Sequence, residues 1–164
     1  MTISGILLGE LEHEAMSTRK MLERVPTEHL NWKPHEKSYS LSGLASHIAE
    51  IHTWVGYTIK QDELDFGKFD YKPFKATTTK ELLAAFDKNV ADAKADLKDV
   101  TDEAIRESWT LKNNDQVYFT MPKIAVLRTM VVKHIVHHRG QLSVYLRLLD
   151  IPVPGMYGPT ADER

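Results

Sequence analysis

The 164 residues include no cysteine. That absence excludes disulfides, thiolate metal ligands and a protein-borne thiol nucleophile, so a bound metal would have to rest on His, Asp or Glu. Long apolar runs are missing too: nowhere do ~18 apolar residues follow one another, and the opening stretch Met1 to Glu10 has no basic n-region, so neither a membrane span nor a secretory signal is read. The expectation is a soluble, cytoplasmic protein. Charge of one sign is also scarce, with 21 basic against 23 acidic residues and a net charge of −2. Without a Lys/Arg-rich run to neutralise phosphates, nucleic acid is not expected as a direct partner. Internal repeats and low-complexity linkers are absent as well.

What is present is helical periodicity on a scale that fits one domain over residues 1–164. A first helix is expected from Ser4 to Val25, ended by Pro26, with Leu7, Leu11, Ala15 and Leu22 on one side. A second follows a Ser40 or Ser42 cap and carries Leu41, Leu44, Ile48, Ile51, Val55 and Ile59 up to about Gln61. A third starts at Thr77-Thr78-Thr79 and runs to Leu97 through Leu82, Phe86, Val90 and Ala93. A fourth opens near Thr120 with Pro122 in its first turn and ends near Leu149. Residues 62–78 read as a loop, and two β-prone runs around Lys112 to Asp115 read as a small hairpin between helices three and four. The expected fold class is therefore all-α, a four-helix bundle with that one hairpin.

The fourth helix contains the most informative run, Lys133-His134-Ile135-Val136-His137-His138-Arg139-Gly140-Gln141. Residues four apart lie on nearly the same helix face, so His134 and His138 stack one turn apart. The expected apolar stripe of Ile124, Leu127, Val131, His134, His138, Tyr145 and Leu148 puts both on the core side, with His137 on the flank. Two histidines so placed either share a metal ion or satisfy ordinary hydrogen bonds. His47, beside Leu44, Ile48 and Ile51 on helix two, supplies a third imidazole, whereas His52 falls toward the edge of that face. Three imidazoles between facing helices leave a position on a divalent ion open to water or substrate, which suits catalysis. Zinc, nickel, copper and ferrous iron all accept such ligands. Ile135 stands where His-Glu-x-x-His metalloproteases carry their glutamate, which argues against a protease. Glu10-x-x-His13 matches half of a di-iron motif with no second copy, and is read as a flanking pair.

The run His134 to Gln141, the tail Pro152-Val153-Pro154-Gly155-Met156-Tyr157-Gly158-Pro159 and the stretch Leu44 to Glu50 together resemble the DinB family of damage-inducible bundle proteins, over nearly the whole chain. The resemblance implies a four-helix bundle, often dimeric, with a divalent metal (zinc, nickel or iron) on His47, His134 and His138. It also implies kinship with metal-dependent transferases and isomerases that use low-molecular-weight thiols such as bacillithiol and mycothiol. Two functions follow as expectations. One is an enzyme that activates a small thiol, or water, against a small electrophile. The other is a metal-binding stress or damage-response protein without turnover. A homodimer is expected through Val126, Met130 and Val144 on the flank of helix four. Arg139 and Gln141 are either groups that orient the site or, respectively, a surface Arg and a core-edge Gln.

Overall fold

The four periodic segments are helical in the computed structural model, which describes residues 2–163, and hydroxyl caps mark where three of them begin. Helix α1 spans Ile3–Leu22 behind Thr2, whose hydroxyl accepts the Gly5 N–H at 3.1 Å. Ser40 serves α2, Leu41–Glu50, by accepting the Gly43 N–H at 3.1 Å. Helix α4, Thr79–Leu97, starts with a reciprocal pair: Thr78 accepts the Glu81 N–H at 3.1 Å, and the Glu81 carboxylate reaches back to the Thr77 N–H at 2.9 Å. Each cap satisfies an N–H that the first helical turn leaves without an internal partner.

The second helix is broken. The chain tightens at Ile51 and His52, and α3 follows over Thr53–Lys60. The Thr53 hydroxyl donates to the Glu50 carbonyl at 2.8 Å, while the N–H groups of Trp54 and Val55 bond back only three residues, to Ile51 and His52. A Thr hydroxyl that captures a backbone carbonyl in this way competes with the regular ladder.

The fourth helix is interrupted as well. It consists of α6, Lys123–Val126, a π-helical stretch Leu127–Lys133, and α7, His134–Leu148. Here the Thr129 hydroxyl donates to the Ala125 carbonyl at 2.7 Å, the acceptor that an α-helix assigns to the Thr129 N–H. The wider turn resets the face. From Leu127 onward, Leu127, Val131, Ile135, Arg139, Leu142 and Leu146 are the buried positions. The stripe expected from an unbroken α-helix is thus displaced by one residue beyond Val131: His134 and His138 sit half-buried beside the core, and Leu148 is exposed.

The all-α class does not hold, because the chain also forms a three-stranded mixed sheet, which packs against α3 and α6. After a short helix α5, Asp102–Arg106, strands β2, Ser108–Asn113, and β3, Gln116–Pro122, form the expected hairpin, turning at Asn114 with φ of 51°, a conformation Asn tolerates. The correction lies in residues 62–78, read as loop, which contain β1, Glu63–Asp65, paired parallel to Thr110, Leu111 and Lys112. Three residues are too few to display a period of two, and a parallel partner more than 40 positions away leaves no local mark. Leu64, Trp109 and Leu111 of the sheet pack against Val126, which is fully buried and so lies away from any dimer flank.

The C-terminal tail is fastened to α7. Asp150, with φ of 56°, ends the helix; its N–H and that of Ile151 return to the carbonyls of Arg147 and Leu146 at 3.1 and 3.0 Å. Val153 is then buried against the helices. Among the described residues no helix is long and apolar enough to cross a membrane.

Candidate metal centre

Helices α2 and α7 bring His47, His134 and His138 to one point. A candidate ligand atom from each lies within 4.8 Å of the others. The inner nitrogens converge: His134 Nε2 is 3.3 Å from His47 Nε2 and 2.8 Å from His138 Nε2. The outer nitrogens of the two α7 histidines face acceptors, His134 Nδ1 the Met130 carbonyl at 3.3 Å and His138 Nδ1 the Gln141 Oε1 at 2.7 Å. Those acceptors assign the ring protons to Nδ1, which leaves Nε2 lone pairs directed at each other.

Protonation would relieve that repulsion, but the site opposes it. Burial, then the neighbouring His138 and His134, lowers the His47 pKa to about 4. Burial is also the leading cause that depresses His134 and His138. Three neutral imidazoles facing one point, with Nδ1–H anchored on His134 and His138, form a donor set that suits a divalent ion. Two ligand nitrogens about 2.0–2.1 Å from a tetrahedral ion stand about 3.3 Å apart, so the His47–His134 spacing fits, while His138 would withdraw by a few tenths of an ångström. The triad could hold a metal ion.

The remaining histidines do not join it. His137 is exposed, its ring centroid 4.9 Å from that of His138, and His13, His29 and His35 are exposed elsewhere. Glu10 pairs with Arg128 at 3.2 Å. His52, placed at the edge of its face by periodicity, is fully buried, edge-on to Phe86 at 5.2 Å. Arg139 is not a surface residue. It points away from the triad into the interior, where it meets Glu14 at 2.6 Å and donates to Tyr157 Oη at 2.6 Å and Thr18 Oγ1 at 3.1 Å. Tyr157 Oη in turn donates to Glu14, at 2.9 Å, so one buried ion pair locks the tail to α1 and α7 directly behind His138.

A profile of the DinB family matches residues 3–164. The chain belongs to the DinB family. At 25% identity it is similar to the uncharacterized protein YrdA of Bacillus subtilis, over 95% of this chain and 89% of YrdA. Among solved structures it resembles a DinB-like protein of Bacillus cereus, at TM-score 0.70 and 25% identity over 95% of this chain and 98% of that one. The DinB-like protein YjoA of Bacillus subtilis shares the fold, at TM-score 0.71 and 17% identity, with 96% of this chain and 98% of that one aligned.

Glu50, which apolar periodicity does not single out, lies one turn beyond His47, and the two line one cavity. Its signal was the spacing His47-x-x-Glu50, which puts both residues on one side of α2. Glu50 accepts the Tyr71 hydroxyl at 3.0 Å and the Phe74 N–H at 2.8 Å, and so ties the loop after β1 to α2.

Proposed function

We propose that this DinB family member is a metal-dependent enzyme that adds a small thiol, or water, to a small electrophile, with a divalent zinc, nickel or iron ion held by His47, His134 and His138. The observation that carries this reading is the convergence of three imidazole Nε2 atoms beside a cavity, with three ligands on offer among the described residues. An ion in that position supplies Lewis acidity, lowering the pKa of a thiol or water that occupies its free position. Gln141 orients His138, and the Met130 carbonyl orients His134. The absence of cysteine supports a nucleophile that is brought in as a free small molecule.

In the thiol reaction the S–H proton passes to solvent, the sulfur lone pair forms the new S–C bond, and the leaving group departs with its bonding electrons. The same reading includes a homodimer, now supported by Val144 and Leu148, exposed one turn apart on α7. The test is the rate of thiol conjugation across a panel of cellular thiols and electrophiles. Activity should require added divalent ion, stop with a chelator, and vanish in His134→Ala. A fully metallated protein inactive with every pair tried, and with no exchangeable water on its metal, would establish the metal-binding stress protein without turnover instead.

A further inference from the structure

A cavity of about 220 Å³ adjoins the triad, with His47 in its wall. Its walls are aromatic: Trp54 and Tyr57 from α3, and Phe66, Phe69 and Tyr71 from the segment after β1. That segment is fastened to α2. Ser46 accepts the Ala76 N–H at 2.9 Å and Ser42 donates to the Ala76 carbonyl at 2.7 Å, and Glu50 takes Phe74 and Tyr71 as described. The rings brace one another edge to face, Trp54 with Phe66 at 6.4 Å and 76° and Tyr57 with Phe69 at 5.1 Å and 78°. Edge-to-face contacts of this kind hold the ring planes in fixed orientations.

We propose that this cavity binds the flat, neutral, apolar body of the electrophile, an aryl or similarly planar group, with its reactive atom directed toward His47. The proposal rests on the reading that the triad carries an ion with a free position. Size sets the scale. Drug-sized ligands occupy about 300–1,000 Å³, so this cavity suits roughly one substituted ring. Chemistry sets the class. The carboxylate at the wall is already engaged, since each Glu50 oxygen accepts a hydrogen bond and Tyr71 donates to one of them, and the Thr53 hydroxyl donates to the Glu50 carbonyl. Burial, then Glu50, also raises the Tyr71 pKa to about 12, so its hydroxyl keeps its proton. What the cavity offers an occupant is ring faces and edges. Ring faces also attract ammonium groups, but a dication on the triad would repel one beside His47. The wider groove between α3 and α4, about 490 Å³, is lined by none of the three triad histidines.

The test uses the full chain in metal-free and zinc-loaded forms. In the metal-free protein, ligand-observed NMR and tryptophan emission should report binding of p-cresol and weaker binding of the non-planar cyclohexanol, and the zinc-loaded protein should bind no tetramethylammonium. Phe66→Ala should weaken p-cresol at least tenfold, with Phe66→Leu intermediate and zinc stoichiometry unaltered in both. In the zinc-loaded protein, benzohydroxamate should bind at least tenfold tighter than acetohydroxamate, and Phe66→Ala should erase that preference. Absence of p-cresol binding, binding of tetramethylammonium to the zinc-loaded protein, or indifference to Phe66→Ala overturns the proposal. Equal hydroxamate binding without p-cresol binding overturns the cavity assignment and leaves the open ion in place. Binding of p-cresol with neither hydroxamate bound supports the cavity and removes the open ion.

Discussion

His47, within α2, and His52, in the break that follows it, lie five residues apart, and burial lowers both to a pKa of about 4. Their surroundings differ. His47 meets two other imidazoles whose outer nitrogens are held by acceptors, so three Nε2 atoms converge on one place. His52 lies against Phe86, and among the described residues neither of its ring nitrogens has a hydrogen-bond partner. A depressed pKa is therefore common to a candidate metal ligand and a core histidine, and does not tell them apart. Convergence of donors does, because only a cation answers several lone pairs at once.

The largest effect expected from this contrast is on metal binding. Alanine at His47, His134 or His138 should each abolish stoichiometric zinc binding by calorimetry and elemental analysis, while His52→Leu should bind zinc as the parent does. Retention of metal by His138→Ala with loss in His137→Ala would show that the π-helical stretch sets a different register in solution.

A smaller effect should come from the outer nitrogens. Gln141→Ala removes the acceptor at His138 Nδ1 and should weaken zinc about 10–100-fold without abolishing it, while the exposed site leaves unfolding of the metal-free protein within about 0.5 kcal/mol. An unchanged affinity would mean that the Gln141 contact plays no part in aiming the imidazole.

The smallest effect concerns His52 and acid. Its folded pKa, about 4, lies below the ordinary 6.5, so the unfolded chain takes up the proton first. Its contribution to stability is complete above pH 6.5 and is lost as pH falls toward 4, by ~2 kcal/mol at pH 5. Urea unfolding of metal-free protein at pH 7 and pH 5 should therefore show a smaller acid loss in His52→Leu than in the parent. At pH 7 that variant should be equal or slightly more stable, since an apolar side chain replaces a buried polar group without partners. Equal acid losses in the two proteins would place a partner on His52.

By itself the sequence determined whatever a single turn of chain can encode. The hydroxyl caps at Ser40 and Thr78, the apolar period of each helix, the hairpin turn at Asn114 and the i, i+4 pair His134 and His138 all follow from neighbours within about four residues. Those signals, with His47 on the apolar face of its helix, were enough to nominate the three histidines that the fold brings together. The rest depended on partners far along the chain. β1 is a strand because Thr110 to Lys112 lie beside it. Arg139 is interior because Glu14, 125 positions earlier, and Tyr157 of the tail meet it there. The stripe on α7 moved by one residue because the π-helical stretch widened a turn, an adjustment that an ideal 3.6-residue period cannot anticipate. The aromatic cavity likewise exists only where the segment after β1 is pinned to α2 by Ser42, Ser46 and Glu50. Local periodicity records which face of an element is apolar, but which groups share a volume is decided by tertiary packing, where burial and hydrogen-bond satisfaction act on all elements together.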